Sequence, residues 1–277
     1  MLKLYIKRFI QNKFALWGIS FIFILSSLAL FSPFIVPYAP LEQNLLERLQ
    51  SPSILHLLGT DDLGRDLFSR LIYGSRISLT VGFVAVSIAT LFGTFIGLVS
   101  GYFGKWIDST LMRIVDILLC FPTFFLILMV IAFLEPNILN VMIVIGFTSW
   151  TGLARLVRGE TLSFKEREFI LAAKSLGLST PKILFFHLLP NVSAPILVSA
   201  TLGVGNAILI ESSLSFLGLG VQPPIPSWGN ILTTGKDYIH FAWWLSLFPG
   251  LCILFTVLAF NLLGEGLRDI LDPRSQN

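Results

Sequence analysis

Charge is what this chain has least of. Only 13% of its 277 residues are Asp, Glu, Lys or Arg, about half the usual share of roughly 25% in a soluble domain, whose surface must be solvated. Much of this surface therefore faces something other than water. Cysteine is also scarce: Cys120 and Cys252 are the only two. Both sit inside apolar runs, which excludes a disulfide framework or a zinc site and leaves two small hydrophobes in a helix bundle. Three histidines and a net charge of +3 provide no basic stripe for nucleic acid. What the chain has instead is apolar residues at 55%, with 25 phenylalanines and a mean hydropathy of +0.82.

A helix that crosses a bilayer needs about 20 mostly apolar residues. Six such runs are present: Phe14–Val36, Leu79–Ser100, Ile114–Leu134, Ile138–Leu156, Val192–Leu217 and Phe241–Leu263. Lys3, Lys7, Arg8 and Lys13 precede the first, as in a signal peptide, but its apolar run is too long and no A-x-A site follows. It reads as a retained helix. Six spans put both termini on one side. With that side taken as cytoplasmic, the inner segments hold fourteen Lys and Arg and the outer ones five: Arg48, Arg65, Arg70, Arg76 and Lys236. The positive-inside rule then orients the bundle. The two longer outer segments are 37–78 and 218–240, and no internal repeat is visible.

The connection between the fourth and fifth spans is patterned. Ser163 and Glu166 have the spacing of a capping box. Phe169, Ala173 and Leu176 recur at i, i+4 and i+7, one apolar helical face. Gly177 stands where a helix ends on a left-handed residue, and Thr180-Pro181 reads as the cap and first position of a second short helix. Such an element either lies on lipid headgroups with Lys165, Arg167 and Lys174 snorkelling, or fits a socket on a cytoplasmic partner. The small Ala172, Ala173 and Gly177 suit close approach; pattern alone does not separate the two.

Leu171-Ala-Ala-x-x-x-Gly177 followed by Leu189-Pro190 resembles the cytoplasmic loop of ATP-binding-cassette (ABC) importer permeases. In that family the loop is the coupling helix that docks into the ATPase. Leu171 stands where the family usually has Glu, and His187 where many members have Ile. The motifs Gly59-Thr-Asp-Asp-Leu-Gly-Arg-Asp66, Phe121-Pro122, Ser215-Phe-Leu-Gly-Leu-Gly-Val-Gln-Pro-Pro224, Ser227-Trp-Gly-Asn230 and Leu263-Gly-Glu-Gly-Leu-Arg-Asp-Ile-Leu-Asp-Pro273 are similar to the dipeptide, oligopeptide and nickel permeases, C-type subunit. The resemblance covers nearly the whole chain. It implies an all-α, six-span, type I importer domain: residues 1–74 an N-terminal span and outer segment, 75–266 the permease core with a coupling loop at about 160–190, and 267–277 a cytoplasmic tail. It implies a homologous permease subunit as heterodimer partner, two cytoplasmic ATPase subunits, an extracytoplasmic binding protein, and an inner-membrane location with both termini cytoplasmic. Leu171, Ala172, Ala173, Gly177, Leu189 and Pro190 would couple to the ATPase.

Other polar groups carry less. Gly59 to Gly64 has the G-x-x-x-x-G spacing of a phosphate loop, but Arg65-Asp66 replaces the Lys-Ser/Thr that would hold phosphate and magnesium. Asp61, Asp62 and Asp66 would serve a magnesium-dependent transferase only with a second acidic run. Paired at i,i+4 as Asp61 with Arg65 and Asp66 with Arg70, they read better as a short interfacial helix with Leu63, Leu67 and Leu71 as its stripe. Arg113 and Asp116 read as a local pair. Glu211 is the one carboxylate well inside a span, with Asn206 near it. Intramembrane polar groups line a pathway or bond a neighbouring helix, and both readings stand. A pathway carboxylate would also suit an ion-driven secondary transporter, the alternative to an ABC permease. Pro122, Pro195, Gly203 and Gly205 either loosen their helices for gating or let a neighbour approach closely. No cofactor or metal site is expected, and the chain is expected to transport rather than catalyse.

Overall fold

The computed structural model describes residues 9–271. Lys3, Lys7, Arg8, Arg274 and the rest of the expected tail beyond 271 lie outside the described residues. All named elements are helical: α1 Lys13–Leu30, α2 Leu67–Phe103, α3 Lys105–Leu119, α4 Thr123–Ala132, α5 Ile138–Lys165, α6 Glu168–Ser175, α7 Thr180–Phe216, α8 Trp228–Asp237 and α9 Trp244–Leu271. Among the described residues five helices are long and apolar enough to cross a membrane, and six crossings result if the bent pair α3–α4 is one span.

Packing decides that α3–α4 is a crossing. Glycines on α2 meet α5 in rising order: a Cβ on Gly93 would fall 2.8 Å from the Trp150 carbonyl oxygen, on Gly97 2.7 Å from that of Ala154, and on Gly101 2.7 Å from Thr161. The two helices therefore run parallel. Parallel neighbours need a connection that returns across the bundle, and α3–α4 is the chain between them. The expected third span, Ile114–Leu134, contains a break at which α3 and α4 meet with a bend of 82°. The cause is local. Pro122 cannot extend a helix behind it and holds the residue before it away from helical geometry, so one helix stops at Leu119 and the next starts at Thr123.

Other boundaries shift as well. The second span is 37 residues long, because its first three turns carry Ser69, Arg70, Ser75 and Arg76 and so escape a hydropathy window. Asp66 caps it, accepting from the Ser69 amide at 2.8 Å. The fifth span begins at Thr180 rather than Val192. Ends that belong on one face do meet: Gly18 of α1 lies against the Ala259 carbonyl and Gly266 of α9 against Ala15. The expected outer segment 218–240 is not a loose loop. It folds back as α8 under a complete capping box of Ser227 and Asn230, with Trp228 wholly buried and its indole donating to the Leu71 carbonyl at 3.1 Å.

Candidate functional site

Three features hold the polar and small residues that the sequence singles out. The first is α6 and its turn. The helix starts at Glu168 with no side-chain cap. Ser163 lies within α5 and Glu166 ends it, so the expected capping box does not form; the membrane-crossing helix simply continues through Ser163. The C-terminal end follows expectation. Gly177 has φ +75°, the Leu178 amide reaches back to the Ala173 carbonyl at 3.2 Å and the Gly177 amide to Lys174 at 3.0 Å, a Schellman closure. The buried face is Ile170 and Ala173, not Phe169, Ala173 and Leu176. These two pack on Leu98, Val157, Ile183, Leu188 and Val192 of α2, α5 and α7. Leu171, Ala172 and Gly177 are exposed, as is Leu176 at 79%. Ala173, at 4%, anchors the helix from inside.

Behind this turn a helix starts with Pro181 in its first turn, as expected, but it runs on into the span instead of ending short. Thr180 follows Ser179 as cap and leads through a wide π-helical turn, Ile183–Leu188, straight into the span, with Pro190 in the first turn after it. At the same end, Arg158 of α5 grips Asp108 of α3 through two bonds of 2.5 and 2.6 Å, and Ser100 of α2 donates to the same carboxylate at 2.5 Å. Asp116 pairs with Arg155 rather than with Arg113, which ties the first half of the bent span to α5.

The second feature is a cavity of about 230 Å³ between α2, α5 and α7. Its polar lining is Thr90, Ser149, Ser199 and Asn206, among small residues that include Ala85, Gly152 and Gly203. No ionisable group lines it. Gly203 thus keeps a surface small, while Gly205 lies in contact with Val257 and Phe260 of α9. The sequence reading names Asn206 but misses the three hydroxyl residues. In a helix, Ser and Thr commonly bond their own backbone, as Thr148 does to Val144 at 2.7 Å, so a hydroxyl in a span is a weak signal.

Glu211 does not face this cavity. It is completely buried, accepting from Ser215 at 2.7 Å and from Ser212 and Ser78 at 3.4 Å. Ser78 in turn accepts from the Trp228 amide at 3.4 Å. These bonds link α7 to α2 and, through Ser78, to α8.

The third feature is the acidic run, which is not the helix that its spacing suggests. Asp61 and Arg65 pair at 2.6 Å, but in a turn before α2 begins. Arg70 reaches the same Asp61 at 3.3 Å rather than Asp66, and Asp66 bonds His56 at 3.0 Å. The Asp61, Asp66, Arg65, Arg70 and His56 side chains are all buried. Together they fasten the segment that precedes α2 onto the bundle. Asp62, the remaining acid of the run, lies 3.8 Å from Arg65. No group of three or more His, Cys, Asp or Glu that could hold a metal occurs among the described residues.

A packed short helix, a bent crossing and a charge-free cavity thus share one helical bundle, and comparison with known proteins says what kind of bundle it is. Residues 93–277 match the family described as binding-protein-dependent transport system inner membrane component. The chain belongs to this permease family. Residues 1–52 of the permease also match the N-terminal TM domain of oligopeptide transport permease C. It is 46% identical to a dipeptide transport system permease protein, DppC, of Alkalihalophilus pseudofirmus, over 98% of this chain and 89% of that one. It is 42% identical to DppC of Haemophilus influenzae, over 96% and 92%, and 41% to the glutathione transport system permease protein GsiD of Pectobacterium atrosepticum, over 97% and 89%. The fold is shared with the MetNI methionine ABC transporter in an inward-facing form: TM-score 0.58, 19% identity, 74% of this chain and 98% of that one. The permease is a multi-pass inner-membrane subunit of an ABC importer, with the type I transmembrane fold. It is not an enzyme. ATP hydrolysis belongs to a separate ATPase chain, and the subunit works with ATPase and permease partners.

Proposed function

We propose that this subunit forms half of a pathway for short peptides and receives the ATPase stroke through α6. The observation that carries the substrate class is the cavity lining. Hydroxyls and one carboxamide, without a charge, match the neutral donors and acceptors of a peptide backbone; bare nickel would call for imidazole or thiolate. The named relatives carry dipeptides and glutathione, itself a peptide. Weak neutral contacts also suit passage, since a pathway must release what it admits.

In this reading the heterodimer partner is a homologous permease, an extracytoplasmic binding protein delivers the peptide, and two cytoplasmic ATPases dock on the coupling loops. Both termini and α6 are cytoplasmic. Residues 1–74 anchor and cap the outer side, 75–266 form the moving core, and 267–277 are the cytoplasmic tail, its first turn continuous with α9. The contact surface is Leu171, Ala172 and Gly177, with Ala173 beneath and Leu189-Pro190 at the foot of the span. Asn206 belongs to the pathway. Coupling is a difference in contacts between two states of the bundle.

The test is uptake by the reconstituted importer of a labelled dipeptide such as dialanine, in competition with excess unlabelled tripeptide or nickel. Competition by peptide alone is the expected result. Competition by nickel alone overturns the peptide assignment.

A further inference from the structure

We propose that the wide turn Ile183–Leu188 is the joint through which displacement of α6 enters the fifth span, and that Asn191 is the positioning residue that sets it. The inference rests on the reading of α6 as the ATPase contact and goes beyond it. It concerns how the contact is connected to the bundle.

The turn has a physical cause in the sequence. Pro190 has no N–H, and in a tight α-helix its ring would press on the carbonyl four residues back. Opening the helix to the i→i−5 register relieves that clash, and the Leu189 amide accordingly bonds the Leu184 carbonyl. Returning to the α register passes over one carbonyl. The Asn191 side-chain amide donates to the His187 carbonyl at 2.6 Å, inside the wide turn. One side chain thus ties the turn to the first turn of the span.

Position gives this local feature its consequence. The inner face of the turn, Ile183, Leu184 and Leu188, is packed in the same cluster as Ile170 and Ala173 of α6. Its opposite face carries Phe186, 76% exposed on this chain. Between Gly177 and Val192, then, one side is packed with the coupling helix and the other is left exposed by the rest of this chain. The helix ladder there is already open. A push on α6 is passed on where the ladder is weakest, and Asn191 determines whether the turn holds its width or slips.

The full importer, reconstituted with partner permease, ATPases and binding protein, tests this. Asn191→Asp keeps the shape but cannot donate; Asn191→Leu removes the donor without adding charge; Asn191→Ser restores a donor, since a serine hydroxyl reaches the carbonyl four residues back. Three readouts are taken: ATPase co-purified with the permease, stimulation of ATP hydrolysis by binding protein, and dialanine uptake. For Asp and Leu we expect co-purification within twofold of the unaltered complex and at least a tenfold loss of both stimulation and uptake. Ser should recover to within threefold. Stimulation retained within twofold in Asp and Leu overturns the joint, and so does a Ser variant as impaired as Asp. A parallel Ala172→Arg variant tests the contact itself. If it leaves ATPase co-purification unchanged, the contact reading fails and the joint falls with it.

Discussion

At the scale of single residues, burial sorts neighbours that the sequence treats alike. Ala172 and Ala173 are adjacent, yet one is exposed and the other faces Ile170 and Val157. Arginine at 172 should abolish ATPase co-purification with little change in the permease's own melting temperature. Arginine at 173 should lower that temperature by several degrees and reduce the amount inserted, because a charge is forced into a packed cluster. Gly177 offers the intermediate case. A side chain there meets nothing within 4 Å, but φ is +75°. Gly177→Val therefore costs only backbone strain, on the order of 1–3 kcal/mol, enough to displace α6 without unfolding the bundle. Insertion near normal with weakened ATPase binding is the expected pair of results. Undiminished binding in Ala172→Arg would reduce α6 to an interfacial helix, and undiminished binding in Gly177→Val would show that the strain at this turn does not displace it.

At the scale of elements, α2 and α5 are held in parallel contact by three glycines at four-residue spacing, Gly93, Gly97 and Gly101. Without a hydrophobic drive in lipid, helices associate through close packing of small residues. Gly97→Val places a branched side chain where a Cβ alone already lies 2.7 Å from the Ala154 carbonyl and from Val157. Overpacking of this kind costs about 1–3 kcal/mol. The effect should appear as a lower melting temperature in detergent, and Gly152→Ala, with open space around it, should be silent there. Equal stability of Gly97→Val and the unaltered protein would contradict the parallel contact, and with it the crossing assigned to α3–α4.

At the scale of the whole molecule, the orientation is open to direct measurement. Thr60 and Trp228 fall on the expected outer side but both are buried, so neither will report by labelling. Leu46, 94% exposed, and the exposed Ser175 are the suitable positions. In a background lacking Cys120 and Cys252, an impermeant maleimide on intact spheroplasts should label a cysteine at 46 and spare one at 175 until the membrane is opened. The reverse pattern would invert the bundle.

Much was legible in residue order alone. Hydropathy located the apolar runs because lipid demands about 20 of them in a row, and Gly177 announced its turn because φ above zero selects glycine. These are properties of short stretches, and so are the motifs that resemble the permease family. What sequence could not decide was which side of each residue meets another element. Asp61, Asp66, Arg65 and Arg70 obey helical spacing on paper. The fold instead draws Arg70 to Asp61 and His56 to Asp66, contacts set by where a turn before α2 happens to lie. Glu211 and Asn206 stand five residues apart in one helix, yet one is sealed among serines and the other opens to the cavity. Only the positions of α2, α5 and α8 around that helix distinguish them, since burial is a property of neighbours that the local sequence does not contain.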